Sequence, residues 1–358
     1  MKLKPDWSAA RENFTKWWAG KGLAVWISAP RRDVDASALP PPPPDEVPNS
    51  ARWSDPVRRR IVSERGLARQ CYLAETFPIY NTDTGPGSLG AFLGAAPQFE
   101  RRTVWYEPCI ADPDSYGPIK LSTKNNRWLD VQLAMIDEGV RSSDGRWLVG
   151  MPDLVENLDT LAAMRGSENL LMDLIERPGW VSDRLAEINE AYFQAFDILY
   201  NRIRDEHGGN AYGIFLIYGP GKMAKVQCDF SCMISPAMFN EFVLPHLKAQ
   251  CDWLDYPMYH LDGTTAMQHL DSLLSIDSLK AIEWTPQAGQ PQGGNKQWYD
   301  LYRRIKAGGK SVQAVGVLPD EVVPLIEAVG PEGLYILTKA DSQDQAERLV
   351  QTIERYRK

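Results

Sequence analysis

The sequence predicts an α/β protein, a single domain over residues 1–358 built as a (β/α)8 TIM barrel. Eight short segments rich in β-branched and aromatic residues recur along the chain, with helical patterns between them. Strands that alternate with helices pair in parallel through right-handed crossovers, and eight of them can close a barrel. An open, doubly wound sheet is the alternative, but no G-x-G-x-x-G motif follows an early strand. The predicted strands are residues 23–29, 76–81, 147–151, 212–218, 258–261, 279–284, 311–317 and 334–338.

The amino-terminal extension, residues 1–50, combines a helix with a proline-rich spacer. Four aromatic residues between Trp7 and Trp18 mark a helix whose apolar face is expected to pack against the barrel exterior. The proline run at 40–44 lacks the amide donors that a sheet ladder needs. It therefore predicts an extended surface connector, with a partner that binds proline-rich peptides as the alternative.

Residues 82–146 form an insertion between the second and third predicted strands. It is far longer than an ordinary connection between a strand and a helix, and it carries Gly85-Pro86-Gly87, Trp105 and Tyr106. Because it starts at the carboxyl end of a strand, one interpretation is a lid that covers substrate. A dimer-forming arm is the other interpretation.

The later helices are recognised from caps and apolar spacing. Ser235 and Pro236 form an N-cap and a first turn, and apolar residues follow at helical spacing. Further helices are predicted at 264–274, 298–307, 319–329 and 343–357. Each lies between or after predicted strands, as a barrel requires.

Composition and charge exclude several classes of function. The net charge of -8 disfavours binding to nucleic acid or to anionic membranes, since both reward basic surfaces. No apolar run is long enough to cross a bilayer, and the polar start predicts a cytoplasmic protein. Five scattered cysteines predict reduced thiols. A small molecule is the expected partner, and 12 Trp and 14 Tyr offer surfaces for one.

The strongest candidate for a site is Tyr259-His260-Leu261-Asp262-Gly263. Side chains alternate along a strand, so His260 and Asp262 emerge on the same side. Gly263 allows a sharp turn at the edge where barrels keep reactive groups. The structural alternative is a buried histidine that a carboxylate holds in place for packing.

Carboxylates at or near other predicted strand ends extend this candidate site. In a barrel they would face one cavity, where they raise each other's pKa or bind a cation. The residues assigned to catalysis are His260, Asp262, Asp229 and Glu283, and those assigned to substrate binding are Asp83, Asp153, Tyr218 and Trp284.

A metal could be bound at the same place. Imidazole, carboxylate and thiolate are zinc ligands, and an open fourth position would admit a substrate atom. The candidate ligands are His260, Asp262 and Cys228, with Asp229 as the alternative third ligand. The pair Cys228-x3-Cys232 is by itself not a zinc-ribbon spacing.

These motifs resemble a known group. Asp229, the stretch Ser235-Pro236-x-x-Phe239-x-x-Phe242-Val243-x-Pro245 and then His260-x-Asp262-Gly263 are similar to the uroporphyrinogen decarboxylase superfamily, most closely the branch with cobalamin-dependent methyltransferases. The resemblance extends over residues 140–358. It implies a (β/α)8 barrel with the site at the carboxyl ends of the strands, and it is compatible with a homodimer.

The resemblance also implies zinc and a corrinoid protein as partner. In that branch a His-x-Cys pair and a later cysteine hold zinc, which activates a thiol to attack a corrinoid-bound methyl group. Here the pair aligns with His260 and Asp262, and residues 337–341 contain no cysteine. Zinc would then sit on oxygen and nitrogen ligands, which disfavours a soft thiolate partner. Porphyrin decarboxylation is not expected, because the chain is acidic and lacks the R-Q-A-G-R type segment.

The leading hypothesis is therefore methyl transfer to or demethylation of a small organic substrate. The first alternative is a metal-free lyase, decarboxylase or glycoside-processing enzyme that uses paired carboxylates. The second is a barrel that binds a ligand without catalysis.

Overall fold

A computed structural model describes residues 1–357, which form an α/β protein. The strands are β1 Leu23–Ser28, β2 Ile79–Tyr80, β3 Ala96–Phe99, β4 Val104–Glu107, β5 Leu148–Met151, β6 Asn210–Tyr212, β7 Ile217–Gly219, β8 Met223–Gln227, β9 Tyr256–Asp262, β10 Ala281–Thr285, β11 Ser311–Val317 and β12 Leu334–Lys339. The helices are α1 Trp7–Trp18, α2 Asn49–Ser54, α3 Pro56–Leu67, α4 Ser88–Phe92, α5 Arg127–Ser143, α6 Asn157–Arg165, α7 Ser167–Glu176, α8 Pro178–Ile203, α9 Pro236–Met238, α10 Leu244–Trp253, α11 Leu270–Leu274, α12 Tyr299–Ala307, α13 Val322–Val329 and α14 Gln343–Ile353.

The main sheet has six parallel strands in the order β1-β12-β11-β10-β9-β8. A second sheet has the order β2-β5-β6-β7, in which β7 is antiparallel to β6. The strands β3 and β4 form a separate antiparallel hairpin. Helices follow most parallel strands, which confirms the predicted α/β architecture.

Side chains join the two larger sheets where ladder hydrogen bonds stop. At the β1 edge, the amide of Val25 donates to Glu75 Oε2 at 2.6 Å, and the amide of Ile27 donates to Thr76 Oγ1 at 2.8 Å. At the β8 edge, the Asn210 amide group donates to the carbonyl of Met223 and accepts from its N–H, both at 2.9 Å. Backbone groups that a ladder would pair are therefore satisfied by buried side chains.

Seven of the eight predicted segments each overlap a single strand, but the fourth does not, and its prediction as one strand is wrong. Residues 212–218 contain the end of β6, a turn and most of β7, and the parallel strand next to β9 is β8. That strand escaped prediction because Lys225 and Gln227 interrupt its apolar pattern. Both are buried, so polar residues here face the interior.

Helix α1 packs across both larger sheets and not against one outer face as expected. Its Phe14 and Trp17 rings contact Tyr335 of β12, and Trp18 Nε1 donates to the Tyr218 carbonyl at 2.9 Å. The predicted N-cap is confirmed, since Ser235 Oγ accepts from the Met238 amide. Among residues 1–357, no helix combines the length and apolar character that crossing a bilayer requires.

Candidate functional site

A cavity of about 700 Å³ lies at the carboxyl ends of β5, β8 and β9. Polar residues that follow these strands form its floor, and the insertion at 82–146 supplies part of its wall. The floor residues are Asp153, Asp159, Gln227, Asp229 and His260, and the insertion contributes Pro86, Gly87, Val104, Trp105, Tyr106 and Pro108. The insertion therefore forms part of the cavity wall, and its interpretation as a lid stays a prediction.

His260 is held by a buried carboxylate on the next strand. His260 and Glu283 are paired in register across β9 and β10, and the imidazole Nδ1 hydrogen-bonds Glu283 Oε2. The other carboxylate oxygen accepts from Thr285 Oγ1 at 2.7 Å. Burial lowers the pKa of His260, but the Glu283 carboxylate raises it, and the net shift is upward. Because Nδ1 is engaged, Nε2 is the nitrogen left for a ligand.

Asp229, His260 and Asp262 bring one possible ligand atom each to within 4.8 Å of one another. His260 and Asp262 lie on one side of β9, as the strand alternation predicts, and the backbone turns at Gly263 with φ +77°. Asp229 is exposed in a short 3-10 turn directly after β8. Burial, together with Asp229, raises the pKa of Asp262. The three side chains form a candidate metal site.

Cys228, the third ligand predicted from sequence, is not part of this group. It is buried, and burial raises the pKa of its thiol well above the usual value. Along β8, the side chains of Lys225 and Gln227 share one face, so residue 228 points away from it and residue 229 towards it. Asp229 therefore takes the place that was assigned to the cysteine.

A second acidic group lies beside the cavity. Lys225 Nζ forms a buried ion pair with Asp153 Oδ1 at 2.7 Å, and the amide of Asp153 donates to Asp83 Oδ1 at 2.7 Å. Burial and the nearby Asp153 carboxylate raise the pKa of Asp83 to about 7. Asp153 lines the cavity and Asp83 lies directly behind it, so these two predicted substrate-binding residues come together.

Two acids were not predicted from sequence: Asp159, which lines the floor, and Glu156, which is buried close to it in the chain. Asp159 accepts the amides of Asp229 at 2.8 Å and Phe230 at 2.7 Å, and it thereby fixes the turn after β8. Glu156 accepts the amide of Gln227 at 2.6 Å, and burial raises its pKa to about 8. The sequence signal that could have identified both is that Asp153, Glu156 and Asp159 follow a predicted strand at intervals of three residues.

Tyr218 and Trp284 do not line the cavity, contrary to their assignment to substrate binding. The Tyr218 hydroxyl donates to Asp205 Oδ2 at 2.7 Å, away from the floor. Trp284 follows the inward-facing Glu283, so its ring points to the opposite side, where it packs on Trp298 at 4.9 Å. The aromatic residues that do line the cavity are Trp105, Tyr106, Phe215 and Phe230.

Comparison of the chain with protein-family models and with curated proteins found no match. The superfamily resemblance therefore stays a prediction that rests on the motifs quoted above.

Proposed function

We propose that the chain is a zinc-dependent enzyme of the uroporphyrinogen decarboxylase-like superfamily that transfers or removes a methyl group of a small organic substrate. The observation that carries this proposal is the convergence of Asp229, His260 and Asp262 to within 4.8 Å at a cavity floor. The ends of parallel strands are where α/β folds place their reactive groups.

The proposed architecture is a (β/α)8-type barrel. Support comes from both seams between the larger sheets, where Glu75, Thr76 and Asn210 satisfy backbone groups of β1 and β8. Strands joined this way would form the wall that the proposed barrel needs around the floor residues. Buried side chains at the seams also explain why regular ladders stop there.

The donor set suits zinc. Two ligands bound at about 2.1 Å lie no more than about 4.2 Å apart, so the group must contract slightly around the ion. The exposed Asp229 side chain is free to rotate for this purpose. Glu283 supplies the carboxylate that orients a metal-bound imidazole in many zinc proteins. When bound, zinc with an open position would polarise a substrate heteroatom.

The chain's own residues would position the substrate and supply a proton. Oxygen and nitrogen ligands favour a substrate oxygen or nitrogen over sulfur. Demethylation would need a nucleophilic acceptor for the methyl group, which we propose a corrinoid on a partner protein supplies, and the substrate heteroatom would keep the bonding electrons. It then takes a proton, for which Asp83, with its pKa of about 7 and its place behind the cavity floor, is the proposed source.

The cavity argues against a tetrapyrrole substrate. None of the described residues that line it is Lys or Arg, and the nearby Lys225 is already paired with Asp153. A substrate with many carboxylates would meet like charges at the floor.

Metal analysis of purified variants tests the proposal. The wild-type chain is expected to hold about one equivalent of zinc, and His260→Ala is expected to lose both zinc and turnover. His207→Ala is the matched control, because that side chain is exposed and distant from the group. Zinc retained by His260→Ala at the wild-type level would contradict the assignment.

A second candidate function is metal-free acid–base catalysis, as in lyases, decarboxylases or glycoside-processing enzymes. The observation that favours it is Asp83, whose pKa is raised to about 7 by burial and by the neighbouring Asp153 carboxylate, so that it can hold a proton near the cavity. Activity that survives chelation and is lost in Asp83→Asn would select this candidate.

A further inference from the structure

The cavity has two chemically different parts. Its floor carries the carboxylates of Asp153, Asp159 and Asp229. Its walls are apolar, yet three of the wall side chains are exposed to solvent: Trp105 is 67% exposed, Met233 47% and Ile214 43%. Exposed apolar residues around a concave site mark a binding surface.

The negative charge of the floor is not fully balanced by the chain. Lys225 is matched by Asp153, and the His260 ring is matched by Glu283. Among the described residues, no Lys or Arg pairs with Asp159 or Asp229. A divalent ion in the proposed site would compensate Asp229 and Asp262, which leaves the Asp159 carboxylate without a counter-charge.

We infer that the substrate is an organic cation that carries, separate from the heteroatom that would face zinc, a protonated or quaternary nitrogen on an apolar body. The inference rests on the proposed function for the location of the substrate. A cationic nitrogen satisfies the acidic floor, and its alkyl or aryl groups fit the apolar walls. The aromatic faces of Trp105, Tyr106, Phe215 and Phe230 add attraction to a cation that an isosteric neutral molecule lacks. The acidic floor repels carboxylates, phosphates and sulfonates, which are therefore disfavoured as substrates.

A charge series on one aromatic body tests the inference. The probes are benzyltrimethylammonium, which cannot coordinate a metal, neutral benzyl alcohol and anionic benzoate, titrated calorimetrically into the full chain. The cation is expected to bind at least about tenfold more tightly than the alcohol, because a carboxylate within contact distance supplies that much attraction at an effective dielectric near 20. Benzoate is expected to bind weakest. An alcohol that binds as tightly as the cation, or benzoate as the tightest ligand, would overturn the inference.

A charge placed at the cavity wall gives an independent test. Met233 is half exposed, so Met233→Lys is compatible with folding, and Met233→Gln is its neutral control. The lysine is expected to weaken binding of the cation about tenfold more than binding of benzyl alcohol, and the glutamine is expected to affect both ligands equally. Equal effects of lysine on both ligands, or none on the cation, would refute the electrostatic argument.

The experiments distinguish a failure of the proposed zinc enzyme from a failure of the inference about the cationic substrate. Each titration is run on the protein as purified and after chelation, and zinc content is measured on the same samples. Preferred cation binding by protein that never holds zinc retains the inference and removes the proposed zinc enzyme. Stoichiometric zinc with no preference for the cation removes only the inference.

Discussion

The hydrogen bond between His260 and Glu283 gives the sharpest test of the candidate metal site. Glu283 is fully buried, and its two oxygens are engaged by the imidazole Nδ1 and by Thr285 Oγ1. In Glu283→Gln the amide oxygen can still accept from the imidazole, and the amide nitrogen can donate to the threonine hydroxyl. The substitution therefore removes the negative charge and keeps the geometry.

The expected loss follows from that charge. A carboxylate that orients a metal-bound histidine also raises its basicity, and removing such a partner costs roughly 10–100-fold in metal affinity, or about 1.4–2.7 kcal/mol. We expect zinc affinity, measured by competition with a chromophoric chelator, to fall by this factor in Glu283→Gln. Thr285→Val removes only the second hydrogen bond of the carboxylate and is expected to have a smaller effect.

The outcome that refutes this reasoning is specific. If Glu283→Gln binds zinc as tightly as the wild-type chain while His260→Ala binds none, then Glu283 does not tune the imidazole. If both variants keep wild-type affinity, the metal lies elsewhere. Circular dichroism of each variant separates a local effect from unfolding, because the strand pair β9 and β10 lies in the core.

Three further predictions concern stability and the cavity wall. The free energy of unfolding should fall as the pH rises from about 4 to 8. The reason is that the folded chain holds protons on Asp83 and Glu156, with pKa values of about 7 and about 8, whereas the unfolded chain releases them near pH 4. Urea titrations of the double variant Asp83→Asn, Glu156→Gln should show a free energy of unfolding that varies less with pH. Asn210→Ala should destabilise the chain by roughly 2–4 kcal/mol, because it leaves a buried N–H and a buried carbonyl of β8 without hydrogen-bond partners. In the same denaturation assay, replacement of the exposed Asn201 by Ala should change stability by less than about 0.5 kcal/mol. Gly85 has φ +113°, and in Gly85→Ala the new Cβ would lie 2.3 Å from the Val104 side chain of β4. The substitution should therefore displace the β3–β4 hairpin and weaken ligand binding without loss of zinc. An unchanged ligand affinity in calorimetry would contradict this prediction.

Alternation along strands explains both the successes and the failures of prediction. It correctly placed His260 and Asp262 together, because β9 was predicted close to its true bounds. The same rule would have selected Asp229 over Cys228 had β8 been recognised, and it would have turned Trp284 away from the site once Glu283 was assigned inward. The error lay in locating one strand and in not applying the rule to another.

Contacts between distant segments were beyond sequence reasoning. Asn210 exchanges hydrogen bonds with Met223 of β8, and the turn at 213–216 places the Phe215 ring 4.8 Å from the His260 ring. Nothing in local composition indicates that a segment rich in aromatic residues bends back towards the site. Only the tertiary fold determines which of several acids share a cavity.

The segment between β5 and α6, at the cavity floor, has several locally unfavourable features. Val155, a β-branched residue, has φ +51°, and Asn157 has φ +55°. Such backbone strain costs of order 1–3 kcal/mol per residue. Between them lies Glu156, fully buried, with Oε2 lacking a hydrogen-bond partner. Apolar side chains would fill this space at lower cost, as replacements of buried ion pairs show. Packing alone therefore does not account for strained backbone and a buried acid under an open cavity, whereas a segment shaped by the site above it does.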